Sequence, residues 1–197
     1  MLFRSYWIDH YLSHNIPLLW EFHKVHHTAE VLSPLTNFRV HPVDSLVFVN
    51  IVAICNGLTT GVLHWVFGAG PVRLEILNET LLIGLAVSVF AQLQHTHIWI
   101  ALTGIPGRLI LSPAHHQIHH SMDPKHHNRN LGNLIAVFDW MFGTLHIPSK
   151  QRQKLVFGLE PQVVPAHDLN EGLLQPFVDA GRLVMPKTPA IEAKRAG

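Results

Sequence analysis

A single cysteine, Cys55, in 197 residues excludes an intramolecular disulfide and any thiolate metal site built from this chain. Charge is scarce as well: Asp, Glu, Lys and Arg make up 14% of residues, against roughly 25% in ordinary soluble domains. The signs nearly cancel, leaving a net charge of +1 and no basic stripe, so the electrostatic footprint of a nucleic-acid partner is missing. There is no Glu-x-x-His motif of the kind that builds carboxylate-rich di-iron bundles, and no His-Glu-x-x-His of the zinc proteases. No Gly-x-Gly-x-x-Gly fingerprint for a flavin or nicotinamide is present either. Any redox chemistry therefore needs electrons from a separate electron-transfer protein or a soluble reductant. No signal-peptide pattern follows Met1.

What the chain has is apolar residues, at 48%, and seventeen histidines. Eight of these fall into three groups: His10/His14, then His23/His26/His27, then His116/His119/His120. Offsets of three and four put side chains on one helix face, about 5–6 Å apart at Cβ. Such a face packs poorly and chelates well. Eight imidazoles exceed the four of a tetrahedral zinc, whereas two octahedral ions could share eight or nine and keep open positions. Imidazole suits iron, copper, nickel and zinc alike, so ligand type does not choose the metal.

Residues 1–28 read as helical, broken near Asn15 and Pro17, and 29–44 as a loop. From Ser45 to Val72 the chain runs 28 residues without a charge, enough to cross a bilayer, which takes about 20. After a Gly68-Ala69-Gly70-Pro71 turn signal, a second apolar helix runs from Leu74 to about Leu93, with Glu75 and Glu79 in its first turns. The pair reads as a transmembrane hairpin; two buried helices of a soluble protein are the alternative. A hairpin returns the chain to the side it left, so the groups at 10–27 and 95–120 face one compartment. Its turn carries only Arg73, while Arg4, Lys24, Arg39, Arg108, Lys125, Arg129, Lys150, Arg152 and Lys154 fall on the histidine side. The positive-inside bias makes that side cytoplasmic, in a bacterial inner membrane or the endoplasmic reticulum. The expected fold is all-α: a membrane helical bundle with a histidine-rich cap.

Downstream, a helix is expected from Pro113, a polar loop over 121–133, a short apolar element over 134–143 and an amphipathic stretch over 168–183. A disordered tail follows Pro186. His95 and His97 end the second apolar helix, two residues apart and so on different faces; His95 is favoured as a ninth ligand. His64 reads as a hydrogen-bonded packing residue within the span, and His146 and His167 as surface. His41, His97, His115, His126 and His127 are placed to hold a ligand or shape the pocket. Asp9, Asn130 and Asp139 are candidates to accept hydrogen bonds from ligand N–H groups.

Ordered HxxxH, HxxHH and HxxHH boxes around a membrane hairpin resemble the fatty acid hydroxylase/sterol desaturase superfamily. Leu19–His27 is similar to its LWxFHxxHH segment, Arg39-Val40-His41-Pro42 to its RxHP element, and Ser112–His120 to its TPxxHxxHH box. Asn130-Leu131-Gly132 and Asp139–Thr144 resemble the closing elements, with Phe138 where Trp is usual. The His95-Thr96 pair leans toward alkylglycerol monooxygenase-like and bacterial sterol-desaturase-like branches. The resemblance implies a domain over 1–160 and a C-terminal extension over 161–197. Members generally carry one or two further transmembrane helices before the first box, which here begins at residue 10. It further implies a di-iron centre held by His10, His14, His23, His26, His27, His95, His116, His119 and His120. The implied activity is O2-dependent hydroxylation or desaturation of a lipid (sterol, fatty acyl, alkylglycerol or related) drawn from the bilayer. A zinc-dependent membrane hydrolase and a non-catalytic metal-binding membrane protein are the alternatives. Hydrolysis needs only three ligands and a water and leaves most histidines surplus, and neither alternative consumes O2.

Overall fold

The computed structural model describes residues 2–68, 75–159 and 168–185, the side chains of 2 and 75–83 excepted. The described chain is helical, with no strand beyond two isolated bridges, Ile110–Ile135 and Ser121–Phe157.

Helices α1 (Leu2–Asn15) and α2 (Pro17–His27) form the N-terminal limb. The break falls where expected, because Pro17 has no N–H to give and pushes Ile16 into an extended conformation, φ −97° and ψ 112°. Helix α3 (Pro42–Phe67) follows, with Pro42 in its first turn and His41 at its cap, Nδ1 accepting from the Val43 N–H at 3.1 Å. It starts three residues before the uncharged run and ends at Gly68, whose φ of +75° no other residue adopts cheaply. Its 26 residues make a rod about 39 Å long. Its apolar window has a mean hydropathy of 2.0 and none of it is buried. Trp65, at 84% exposure, and Leu58, at 66%, project away from the protein, as they would into lipid. His64 is exposed among them, not a packed side chain as its sequence context suggested.

Helix α4 (Glu75–Gln94) supplies the second apolar arm. Among the described residues only α3 is by itself long and apolar enough to cross a membrane. Residues 69–74, with the expected turn and Arg73, lie outside the described residues, as do His167 and the tail after Pro186.

Helix α1 runs antiparallel along α3. Tyr6 meets Phe48 edge-on at 5.9 Å, and further back Arg4 donates to Cys55 O and Thr59 Oγ1. Arg4 thus sits beside the middle of α3 and does not belong with the cations grouped on the histidine side.

The remaining elements form the cap: α5 (Gly104–Leu109), α6 (Pro113–His119), α7 (Val137–Met141), α8 (Leu169–Leu173) and α9 (Gln175–Val184). Helix α6 is wholly buried. It is capped by Ser112, whose N–H donates to His115 Nδ1 at 3.0 Å. Helix α9 lies on α2: Lys24 Nζ meets Asp179 Oδ2 at 2.8 Å, and Phe177 packs on Phe22 at 5.3 Å. Residues 168–185 of the expected extension therefore dock on the histidine-bearing limb.

Candidate metal centre

The nine expected histidines converge from four segments into two adjoining groups. One holds His10, His14, His23, His27 and His119; the other holds His26, His95, His116 and His120. Within each group the candidate ligand atoms lie within 4.8 Å of one another. Helix geometry explains the sorting. The i, i+4 pairs 10/14, 23/27 and 116/120 each point into one group, and the odd member of each triplet, His26 or His119, crosses to the other. The groups touch through His27 and His120, with ring centroids 4.5 Å apart.

Hydrogen bonds fix which ring nitrogen is free. Nδ1–H donates to a backbone carbonyl in His10 (Leu131, 2.7 Å), His119 (Arg129, 2.9 Å), His95 (Ala91, 2.9 Å) and His26 (Arg39, 3.3 Å). His23 Nδ1 donates instead to Asp44 Oδ2 at 3.1 Å, and His14 bonds the Asn128 side chain. A carbonyl only accepts, so the proton sits on Nδ1 and Nε2 presents a bare lone pair. In the first group all five Nε2 atoms are buried without a partner. In the second, Nε2 of His26 lies 3.1 Å from Nε2 of His95. Both protons are already committed to carbonyls, so this contact sets two acceptors against each other. A bound cation would turn that repulsion into ligation, and the residues present fit a pair of metal ions.

Burial drives the proton affinity of these rings down, and the neighbouring imidazoles add to the effect. His10, His14, His26, His27, His116 and His120 titrate well below the usual histidine range, and His119 is lowered to about 3. At neutral pH these seven rings are uncharged donors.

Of the two histidines ending α4, His95 enters the cluster and His97 is exposed. His41 is spent on capping α3 and on Leu173 O at 3.1 Å, and His115 on capping α6. His126 is buried edge-on against His146 at 5.0 Å, and His127 is exposed. Asp139 reaches the clustered rings at one remove. It accepts from Trp7 Nε1, Leu131 N, Gly132 N and Thr144 Oγ1, fixing the loop whose Leu131 carbonyl holds His10. Asn130 likewise ties the loop, bonding the backbone of His115 and His146. Asp9 has a buried Oδ1 without a partner, and its carboxyl is pushed up to about 7 by burial and by Asp44.

Two side chains that bond the cluster, Asp44 to His23 and Asn128 to His14, carry no signal in the sequence. Asp44 lies three residues after His41, in the first turn of α3, where a carboxylate has an ordinary role at a helix N-terminus. Asn128 reads as one more polar loop residue. Only its φ of +55°, shared with Asn130, marks it as a turn suited to asparagine.

A cavity of about 1500 Å³ opens onto His14, His27, His119 and His120. Its walls mix apolar side chains such as Trp20, Phe38 and Met122 with the charges of Lys24, Arg39 and Asp179.

The fatty acid hydroxylase family pattern matches residues 1–144. Among curated proteins, the chain is similar to an alkylglycerol monooxygenase of Danio rerio, 27% identical over 78% of this chain and 30% of that protein. It is also similar to an ornithine lipid hydroxylase of Rhizobium tropici, 29% identical over 89% of this chain and 48% of that protein. The Homo sapiens alkylglycerol monooxygenase is 26% identical over 85% and 34%, respectively. The chain thus spans between about a third and a half of the length of these relatives, and no solved structure matches it. With the histidine boxes, the helical cap and a family match over residues 1–144, the chain belongs to the fatty acid hydroxylase family.

Proposed function

We propose that this protein is a membrane-bound oxidoreductase. In this reading the enzyme hydroxylates or desaturates a lipid C–H bond with O2, and the nine histidines would hold the two iron ions that this requires. The convergence of nine imidazoles with Nε2 lone pairs turned inward carries the reading. Three ligands and a water would suffice for a hydrolytic zinc, leaving six buried imidazoles without a purpose. The relatives named above act on lipids by monooxygenation or hydroxylation, which supports the substrate class.

When bound, a redox-active metal pair supplies the activation of O2. The protein's own contribution is to hold, orient and exclude. Carbonyls and Asp44 lock the ring tautomers, so the lone pairs need no reorganisation to receive cations. Leu111, Ala114, Ile118, Leu131 and Ala136, each at most 1% exposed, seal the cap around α6 against water. The cavity at His14 and His27 has room for a lipid segment, and its charged wall suits a polar head group. Helix α3 anchors the site at the bilayer, from which the substrate enters. The cations left on the histidine side once Arg4 is removed support a cytoplasmic centre. Electrons come from a separate protein or a soluble reductant.

The test uses the full chain in lipid nanodiscs, loaded with ferrous iron and given a chemical reductant. O2 uptake and lipid mass are followed on a panel of alkylglycerol, aminoacyl-lipid, fatty acyl and sterol substrates. We expect a product one oxygen atom heavier, or two hydrogens lighter, formed only with O2 and lost in His27→Ala and His116→Ala. Turnover that proceeds without O2, or iron-loaded protein inert to the whole panel, would overturn the reading.

A further inference from the structure

The two groups of histidines are unlike in a way that their shared spacing hides. The first brings five imidazoles and the second four. In the first, four rings are held at Nδ1: His10 and His119 by carbonyls, His14 by Asn128 and His23 by Asp44. In the second, His26 and His95 are held by carbonyls, while Nδ1 of His116 and of His120 is buried without a partner. Asp44 supplies the one side-chain carboxylate bonded to a ring in either group among the described residues. Both members of that pair are buried, His23 at 8% and Asp44 at 9% exposure.

We propose that Asp44 is a positioning residue for His23, and that a metal held by the five-imidazole group would be bound more tightly than its neighbour because of it. This rests on the dimetal reading above. A buried carboxylate on Nδ1–H does two things that a carbonyl does less well. It draws the ring proton toward itself, making Nε2 a stronger donor, and it holds a single tautomer because an ionised carboxylate cannot donate. Replacement by asparagine weakens the first effect and can reverse the second. An Asn NH2 facing Nδ1 makes that atom the acceptor, moves the proton to Nε2 and covers the lone pair the metal needs. Asp44 stands at the start of α3, and among the described residues its ring partner is His23 of the five-imidazole group, so the damage stays within one site. The five-imidazole group, with one more donor and the Asp44 carboxylate behind it, would hold its ion more tightly. The four-imidazole group, with Nδ1 of His116 and His120 unheld, would give up its ion more readily.

The test is metal binding by the detergent-purified full chain. Apo-protein is titrated anaerobically with Co(II), read by its visible bands, against a competing chelator. Wild type should bind two ions with separable affinities, the tighter one lost in His23→Ala and the weaker one in His95→Ala. Asp44→Asn should weaken the tighter ion by about 10–100-fold and leave the other unchanged, and Asp44→Glu should recover most of the loss. If the Asn variant does not fold, Asp44→Ser, a neutral acceptor of smaller size, takes its place. Equal loss of both ions, no loss, or loss of the ion that His95→Ala removes would overturn the role of Asp44. Two indistinguishable ions in wild type would overturn the inequivalence. Fewer than two ions in folded wild type would instead sink the dimetal reading beneath it.

Discussion

The ring of His95 is held by its own helix. Nδ1–H donates to Ala91 O one turn back, and Nε2 is left 3.1 Å from His26 and 2.9 Å from His116. Two residues on, His97 has turned to the surface. His95→Ala should therefore remove one metal equivalent, whereas His97→Ala should keep both; metal analysis of the two purified variants checks this. Gly132 is a comparable single-residue constraint. A Cβ there would lie 2.7 Å from Leu111 Cδ1 and 2.8 Å from Asp139 Oδ2 and Ile135 O. Gly132→Ala should cost about 1–3 kcal/mol by overpacking, read as a lower melting temperature. It should also weaken metal binding at the group that contains His10, since Leu131 beside it carries the His10 contact.

At the scale of elements, the decisive device is the α-helical offset of four. Helices α1, α2 and α6 each aim an i, i+4 pair into one group, and the two triplets spend their odd member on the other, so neither group depends on a single helix. The short helix α6 is marginal by length alone, and its rigidity comes from the Ser112 cap and complete burial. Helix α3 does the opposite and buries almost nothing. If it spans the bilayer, Leu58→Arg, at a residue 66% exposed and near mid-helix, should cost about 2.5–3.5 kcal/mol of insertion. A fall in the membrane-inserted fraction in an insertion assay is the expected result; an unchanged fraction would place α3 outside the lipid.

The whole molecule gathers a buried polar cluster that no single element could hold. Eight imidazoles at 2–8% exposure, together with the half-buried His14, are costly to enclose unless a cation satisfies them. That cost has a pH signature in the metal-free protein. The rings' folded pKa values lie below about 6.5, so below that pH the unfolded chain binds protons the folded one refuses, and stability falls as pH falls. Asp9 and Asp139 act in the other sense: their raised pKa values penalise the folded state at high pH, a penalty relieved on acidification. The histidines outnumber them, and loss should win. Melting temperature of the apo-protein should drop between pH 7.5 and pH 5, and metal should be released over the same interval because protons compete for Nε2.

Spacing by itself determined the ligand-bearing faces, because an offset of four on a helix is a local property that no tertiary contact has to supply. Local chemistry likewise determined the break at Pro17, the α6 start at Pro113 and the long uncharged run. The folded structure decided what depends on distant partners. It divided nine histidines into five and four, separated His95 from His97, and set Arg4 beside Cys55 and Thr59. It moved Asp139 one step back from the ligands and brought Asp44 to His23 across 21 residues. Sequence carries no signal for these because a hydrogen-bond partner is chosen by where two elements meet. A ring nitrogen is freed for metal only by what the opposite nitrogen touches.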